Sequence, residues 1–276
     1  MTVTETPTKH GLDRIGGDPT MLSDPPAARQ LVEQLIVTVA AWKGGVGKTE
    51  LAKELAWLLD AVLIDFDWDH GNATRAWGYR HEARTNAPLI DAVLNGRTPR
   101  PLSGGAARPD LVPCHPDWVH NQPESEQLAA QIQRWSAEWR RPIVLDTHPG
   151  GGEATYAAIG VANVILVPVL LETRPLEALE GMVEELRGYP IMIVPNMIAA
   201  APANMVKWLS RISETYQVPV TSTVGAYSWL GQRQLRMAVS ARTPIPARSR
   251  TYVDEVKTIA AEAIEFALRN QKEESR

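Results

Sequence analysis

A single cysteine, Cys114, stands in 276 residues. It excludes a disulfide framework and fits a reducing cytosol. No run of 18 apolar residues occurs, so no membrane-crossing helix is expected. The first residues lack a basic-then-apolar leader and carry Thr, Pro, Gly and Asp instead. Residues 1–34 are therefore expected to form a flexible N-terminal extension, too short to hold a separate DNA-reading domain. Internal repeats, low-complexity segments, recognition-helix motifs and aromatic stacking platforms are also missing. Without the last two, sequence-specific reading of nucleic acid is not expected.

Enough apolar residues are present, 44%, to build a buried core. Runs with strand character lie near 35–41, 61–66, 110–113, 142–147, 163–169, 191–195 and 219–224. Between them, helical spacing covers 49–60, 88–94, 124–139, 153–160, 175–187, 203–216 and 228–240, with a last helix near 251–270. This alternation predicts an α/β fold, a mostly parallel doubly wound sheet with helices on both faces. Runs such as Val164-Ile165-Leu166-Val167 lack polar alternation, as strands covered on both sides should. Residues 35–276 are read as one domain.

Residues 43–49 read Lys-Gly-Gly-Val-Gly-Lys-Thr, between an apolar run and an amphipathic stretch. Strand, glycine loop and helix in that order are the context of a phosphate-binding loop. Glycines at 44, 45 and 47 let the backbone approach an anion, and the helix N-terminus adds its positive end. Lys48 supplies a point charge to β- and γ-phosphates, and Thr49 a hydroxyl to Mg²⁺. Two further predicted strands end in acids, Ile64-Asp65-Phe66-Asp67 and Leu145-Asp146-Thr147. In such sheets ligands sit at these strand ends. Asp146 fits the carboxylate that holds Mg²⁺ through its water shell. Asp65 and Asp67, two apart, point the same way along a strand.

With Lys43 included, the loop resembles the deviant Walker A motif of the ParA/MinD family of P-loop ATPases. Asp65 to Asp67 followed by Gly71-Asn72-Ala73-Thr74 is similar to the ParA form of that family's second motif. The resemblance spans about residues 35–270 and implies ATP and Mg²⁺ as cofactors. It implies that Lys43 reaches across a homodimer interface to the partner's phosphates, and that Asp67 positions the attacking water. Asp65 would belong to the metal surroundings with Thr49 and Asp146. Asn196 matches an asparagine that reads the adenine edge. The nucleotide-binding set is thus Lys43, Gly44, Gly45, Val46, Gly47, Lys48, Thr49, Glu50 and Asn196, with Lys43, Lys48 and Asp67 as catalytic residues. Three departures stand out. Glu50 replaces a usual Thr or Ser beside the α-phosphate. Trp68-Asp69-His70 replaces a Pro-Gln pair with one residue added, and His148 replaces a proline.

Net charge is −4, unevenly spread. Residues 1–199 hold 17 Lys and Arg against 25 Asp and Glu, whereas 200–257 hold 8 against 3. Arg233, Arg236, Arg242, Arg248 and Arg250 crowd this basic third, with Arg233 and Arg236 on one face of the predicted 228–240 helix. They are candidates for DNA phosphates. The resemblance implies an ATP-bound dimer on nonspecific DNA in the nucleoid, released when a ParB-like partner stimulates hydrolysis to partition a plasmid or chromosome. A MinD-like membrane-cycling ATPase would need a basic amphipathic C-terminal helix, which 258–276 do not resemble. A metabolic P-loop enzyme of the same fold, such as an amidoligase or a reductase partner, would need a second substrate site, for which no motif is found, or the paired cysteines of an iron–sulfur cluster. If the loop reading holds, Lys48→Ala abolishes nucleotide binding in equilibrium titration; an unchanged affinity would refute it.

Overall fold

The computed structural model describes residues 11–15, 31–69, 72–80, 87–233 and 237–274. Its strands are β1 (Ile36–Val39), β2 (Val62–Asp65), β3 (Asp110–Val112), β4 (Ile143–Asp146), β5 (Val164–Val169) and β6 (Ile191–Pro195). They form one sheet in the order β3-β2-β4-β1-β5-β6, with every pairing parallel. The helices are α1 (Gly11–Ile15), α2 (Lys48–Leu58), α3 (Ala73–Trp77), α4 (Pro88–Leu94), α5 (Ser125–Trp139), α6 (Glu153–Gly160), α7 (Thr173–Glu185), α8 (Ala203–Tyr216), α9 (Ser228–Gly231) and α10 (Arg250–Glu274). This is the α/β class expected from the sequence, a parallel sheet with helices on both faces.

Side chains alternate along each strand, and both faces are buried. Val37, Val39, Leu63, Val144 and Leu166 face the core shared with α2 and α10. Ile36, Val62, Ile64, Ile143 and Leu145 face α4, α5 and α6. Ile165, Val167 and Ile193 complete that second face against α7 and α8. Non-alternating apolar strands are what two covered faces require. The right-handed crossovers of such a sheet bring the ends of β1, β2 and β4 to one place.

Two predicted elements differ. Residues 219–224 touch β6 at the Ile193–Val220 bridge and by the Val224 N–H on the Pro195 carbonyl, and form no strand. Pro219 and Pro195 lack the N–H a ladder needs. The predicted helix 228–240 ends at Gly231. Beyond it, Glu54 on α2 captures the chain. The fully buried Glu54 carboxylate accepts from the N–H groups of Val239 (2.5 Å) and Ser240 (3.0 Å) and from the Ser240 hydroxyl (2.8 Å). A helix there would turn those N–H groups back onto its own carbonyls.

The extension also packs where it is described. Leu12 and Ile15 lie against the core, Leu31 and Val32 are buried, and Arg14 bonds the Trp57 carbonyl at 2.7 Å. Its guanidinium also pairs with Asp60 at 3.0 Å and covers the Trp57 ring. Residues 11–15 and 31–34 thus correct the expectation of a floppy start, because Leu12 and Ile15 have an apolar surface to cover. The rest of 1–30 lies outside the described residues.

Burial pushes the Glu54 carboxyl above its usual range, Glu50 adds to this, and Lys53 with the two N–H groups opposes it. Glu54→Ala leaves two buried N–H groups without acceptors. It should lower the unfolding free energy by about 2–4 kcal/mol in urea titration, and Glu54→Gln by less. A loss of under about 0.5 kcal/mol for the alanine variant would remove this anchor from the account.

Candidate nucleotide-binding site

The loop between β1 and α2 lies where the fold demands, at the C-terminal end of the central strand. Gly47 has φ 88°, and a Cβ there would sit 2.4 Å from Asn196 Nδ2. Only glycine tolerates both the left-handed backbone and that approach. Asn196, one residue past β6, donates Nδ2 to the Val46 carbonyl at 2.8 Å. It therefore fastens the loop, with one of its two N–H groups already engaged. Beside it opens a cleft of about 590 Å³ lined by Gly47, Leu51, Asn196, Met197, Tyr227 and Val256. An apolar slot next to the loop suits a flat heterocycle. A larger cavity, about 720 Å³, lies near Asn163, Tyr189 and Phe266, at the opposite strand ends.

Lys48 is 6% exposed and opens α2. Burial lowers its pKa, while Asp146 and then Asp67 favour its charged form. Asp146 closes β4 with no exposure, and neither of its oxygens meets a donor at hydrogen-bond geometry. Burial pushes its carboxyl up to about 7, opposed by the nearby Thr49 hydroxyl and by Lys48. A buried carboxylate with open oxygens, facing a hydroxyl and a lysine, is a donor set that a hard divalent cation completes. Thr49 and Asp146 fit Mg²⁺.

Asp65, expected in the metal surroundings, lies opposite Asp146 and is engaged by donors of the chain itself. Its Oδ2 accepts from the Thr74 N–H (2.7 Å) and hydroxyl (2.6 Å), and its Oδ1 from the Asp67 N–H (3.0 Å). Burial, then the Asp146 charge, raises its pKa well above the usual range. It anchors the loop. Asn72 caps α3 by accepting from the Arg75 N–H and holds the Asp67 carbonyl at 2.5 Å. The Asn-Ala-Thr stretch is thus a brace for the Asp67 loop, legible as an N-cap in the sequence. Asp67 itself is partly open, its pKa raised by burial and lowered by the Asp69 N–H, His148 and Lys48.

Lys43 is exposed and makes no ion pair among the described residues. The preceding Trp42 is held by Glu185, which accepts from Trp42 Nε1 (3.1 Å) and the Tyr156 hydroxyl (2.6 Å). The Glu50 carboxylate pairs with Lys53 and with Arg233 at 3.0 Å. Its charge is neutralised within the chain.

The basic residues separate. Arg233, 11% exposed at its side chain, points inward to Glu50 and the Met237 carbonyl, which removes it from the expected exposed face. Arg236 lies outside the described residues. Arg242 is half-buried, and Arg248 and Arg250 are exposed. Arg233, Arg242 and Arg248 share a cleft of about 260 Å³ with Trp229, and Arg248 stands 5.9 Å from that ring. The aromatic floor escaped the sequence reading because Trp229 and Arg248 meet only through tertiary contact.

No family model matches the chain. It is similar to the chromosome partitioning protein ParA of Myxococcus xanthus, 29% identical over 160 residues, 53% of this chain and 56% of that one. It is also similar to the chromosome-partitioning ATPase Soj of Thermus thermophilus, 31% identical over 161 residues, 55% of this chain and 62% of the relative. The chain therefore spans less than two thirds of the length of these curated relatives. Among solved structures, the McdA–ATP complex from Cyanothece superposes with a TM-score of 0.65 at 20% identity, over 84% of this chain and 95% of that one. The MinD cell division protein of Aquifex aeolicus gives 0.54 at 19%, over 88% and 98%. The likeness is thus to ParA/Soj partition ATPases in sequence and to ParA/MinD-type P-loop proteins in fold.

The Asp146 carboxyl holds its proton to about pH 7 in the folded chain and only to 3.8 as a free group. Ionising it therefore costs stability as pH rises between those values. Asp146→Asn should raise the Tm of the ligand-free protein at pH 7.5 by on the order of 3–6 °C, with the gain fading towards pH 4. A Tm difference independent of pH would contradict this.

Proposed function

We propose that this chain is a ParA-type ATPase that uses ATP binding to pair with a second copy and hydrolysis to separate from it. The observation that carries the reading is the unequal fate of two loop lysines. Lys48 is buried against Asp146 and Asp67, whereas Lys43, five residues earlier, is exposed and unpaired among the described residues. An exposed loop lysine without an ion pair among the described residues is available to a neighbour's pocket, the role an arginine finger plays elsewhere. The partition ATPases similar to this chain, and the ATP complex in a protein of the same fold, support the choice of nucleotide.

In this reading the loop N–H groups and Lys48 hold the β- and γ-phosphates, and Thr49 with Asp146 would hold Mg²⁺, which would supply positive charge beside those phosphates. Asp67 accepts a hydrogen bond from the attacking water, which bonds to the γ-phosphorus as ADP leaves. The partner's Lys43 offsets the charge that develops there. Arg242, Arg248 and Arg250 would meet nonspecific DNA phosphates, and a symmetric pair of subunits would double those contacts. A ParB-like partner would stimulate hydrolysis, and the cycle would move a plasmid or chromosome over the nucleoid in the cytoplasm. The membrane-cycling alternative gains nothing from α10, whose apolar residues, among them Val256, Ile259, Ile264 and Leu268, are buried in the core. The cluster-bearing enzymes are disfavoured because Cys114 stands alone and buried.

Lys43→Ala should keep nucleotide affinity within about threefold and lower ATP turnover by about 10³-fold. Asp67→Ala should hold an ATP-dependent dimer on nonspecific DNA in sedimentation. An Asp67→Ala protein that stays monomeric with ATP would overturn the scheme.

A further inference from the structure

The ends of β2 and β4 carry a contact that the nucleotide scheme does not use. β2 and β4 are paired neighbours, with Asp65 opposite Asp146. The segments that follow, 66–69 and 147–150, therefore run side by side at the mouth of the site. The Trp68 indole stacks on the His148 imidazole, with centroids 3.9 Å apart and planes 5° from parallel. His148 Nε2 lies 3.1 Å from Asp69 Oδ2, and since a carboxylate accepts, the ring nitrogen donates. The Asp69 N–H in turn donates to Asp67 Oδ1 at 3.0 Å. Polar atoms of Asp67, Asp69 and His148 all lie within 4.8 Å of one another.

We infer that His148 is a positioning residue: with Trp68 and Asp69 it forms a latch that holds the Asp67 carboxylate in place for the attacking water. The inference rests on the ATPase reading above and adds to it a dependence on an imidazole. The Asp67 backbone is already tied on one side, its N–H to Asp65 and its carbonyl to Asn72. Among the described residues its carboxylate has one hydrogen-bond donor, the Asp69 N–H. That N–H sits in an exposed turn, so its direction depends on what restrains the turn. The restraint comes from the other strand, through stacking and a hydrogen bond to the same ring. Thr147, next to His148, is fixed to β1 by its hydroxyl and N–H on the Val39 carbonyl, at 3.1 and 3.3 Å. The latch thus transmits the position of β1, which also carries the phosphate loop, to the Asp67 carboxylate. A misplacement of about 1 Å at such a group costs on the order of 10²-fold in rate. Trp68, Asp69 and His148 are where the motifs of this chain depart from those they resemble, and here they act as one unit.

His148→Phe keeps a ring for Trp68 and removes the hydrogen bond. His148→Gln places an amide nitrogen near the lost Nε2. The expected result is a fall in kcat for ATP of about 10- to 100-fold for His148→Phe, with KM and nucleotide affinity within about threefold. Asp69→Ala should show a similar fall, and the double variant no further loss. His148→Gln should recover most of the rate. A general loss of folding would be seen as a lower Tm and would not be rescued selectively by glutamine. Wild-type turnover in His148→Phe, additive losses in the double variant, or a loss confined to KM would each overturn the inference. Lys48→Ala is the reference. If turnover survives in it, the ATPase reading fails separately, and the latch is decided by the His148 imidazole ¹⁵N spectrum. Asp69→Ala must shift that Nε2 signal if the latch exists; an unmoved signal refutes it.

Discussion

Three charged groups share one buried corner, and the arrangement of the site follows from how that corner is made tolerable. Asp65 and Asp146 are side by side on neighbouring strands with no exposure, and Lys48 approaches from the first turn of α2. Removing such charges from water is costly unless each finds a partner. Asp65 finds three donors in Thr74 and Asp67. Asp146 finds none of its own, and its ionisation is held back towards neutral pH. The folded chain therefore keeps one carboxylate satisfied as scaffold and one unsatisfied at the loop's mouth. That difference between the two carboxylates is not visible in the motif alone.

The same logic explains the acid on α2. Glu50 would repel phosphates if its charge faced the loop, yet Lys53 and Arg233 compensate it from behind. Glu54, one turn on, binds the backbone of 239 and 240. Together these carboxylates tether the segment 233–240, which bears part of the basic third, to the helix that follows the phosphate loop. The arginine that looked free in the sequence is the one that makes this link. Nucleotide pocket and basic cleft are therefore built on one helix and share its first turns.

Much of the fold was legible because parallel strands covered on both faces leave an unbroken apolar signature. Val164 to Val169 and Ile143 to Asp146 came out as expected, as did α4, α6 and α8 to the residue. The helix misreading occurs where a side chain far away in sequence competes for backbone groups. Glu54 took the N–H groups that a longer helix after Ser228 would have used. Local pattern cannot register such competition, since partners 185 residues apart are invisible to it.

By itself, the order of residues determined the glycine loop, the helix behind it and the acids at the strand ends. These depend on local backbone freedom and on periodicity, both of which are written in neighbouring positions. Only the tertiary structure decided which acid is satisfied by donors of the chain and which is left open, that Arg233 faces inward, and that Trp68, Asp69 and His148 meet. Those outcomes depend on burial and on contacts between strands adjacent in the sheet but not in the chain. A charge acquires its role from the partners that desolvation forces upon it, and the fold chooses those partners.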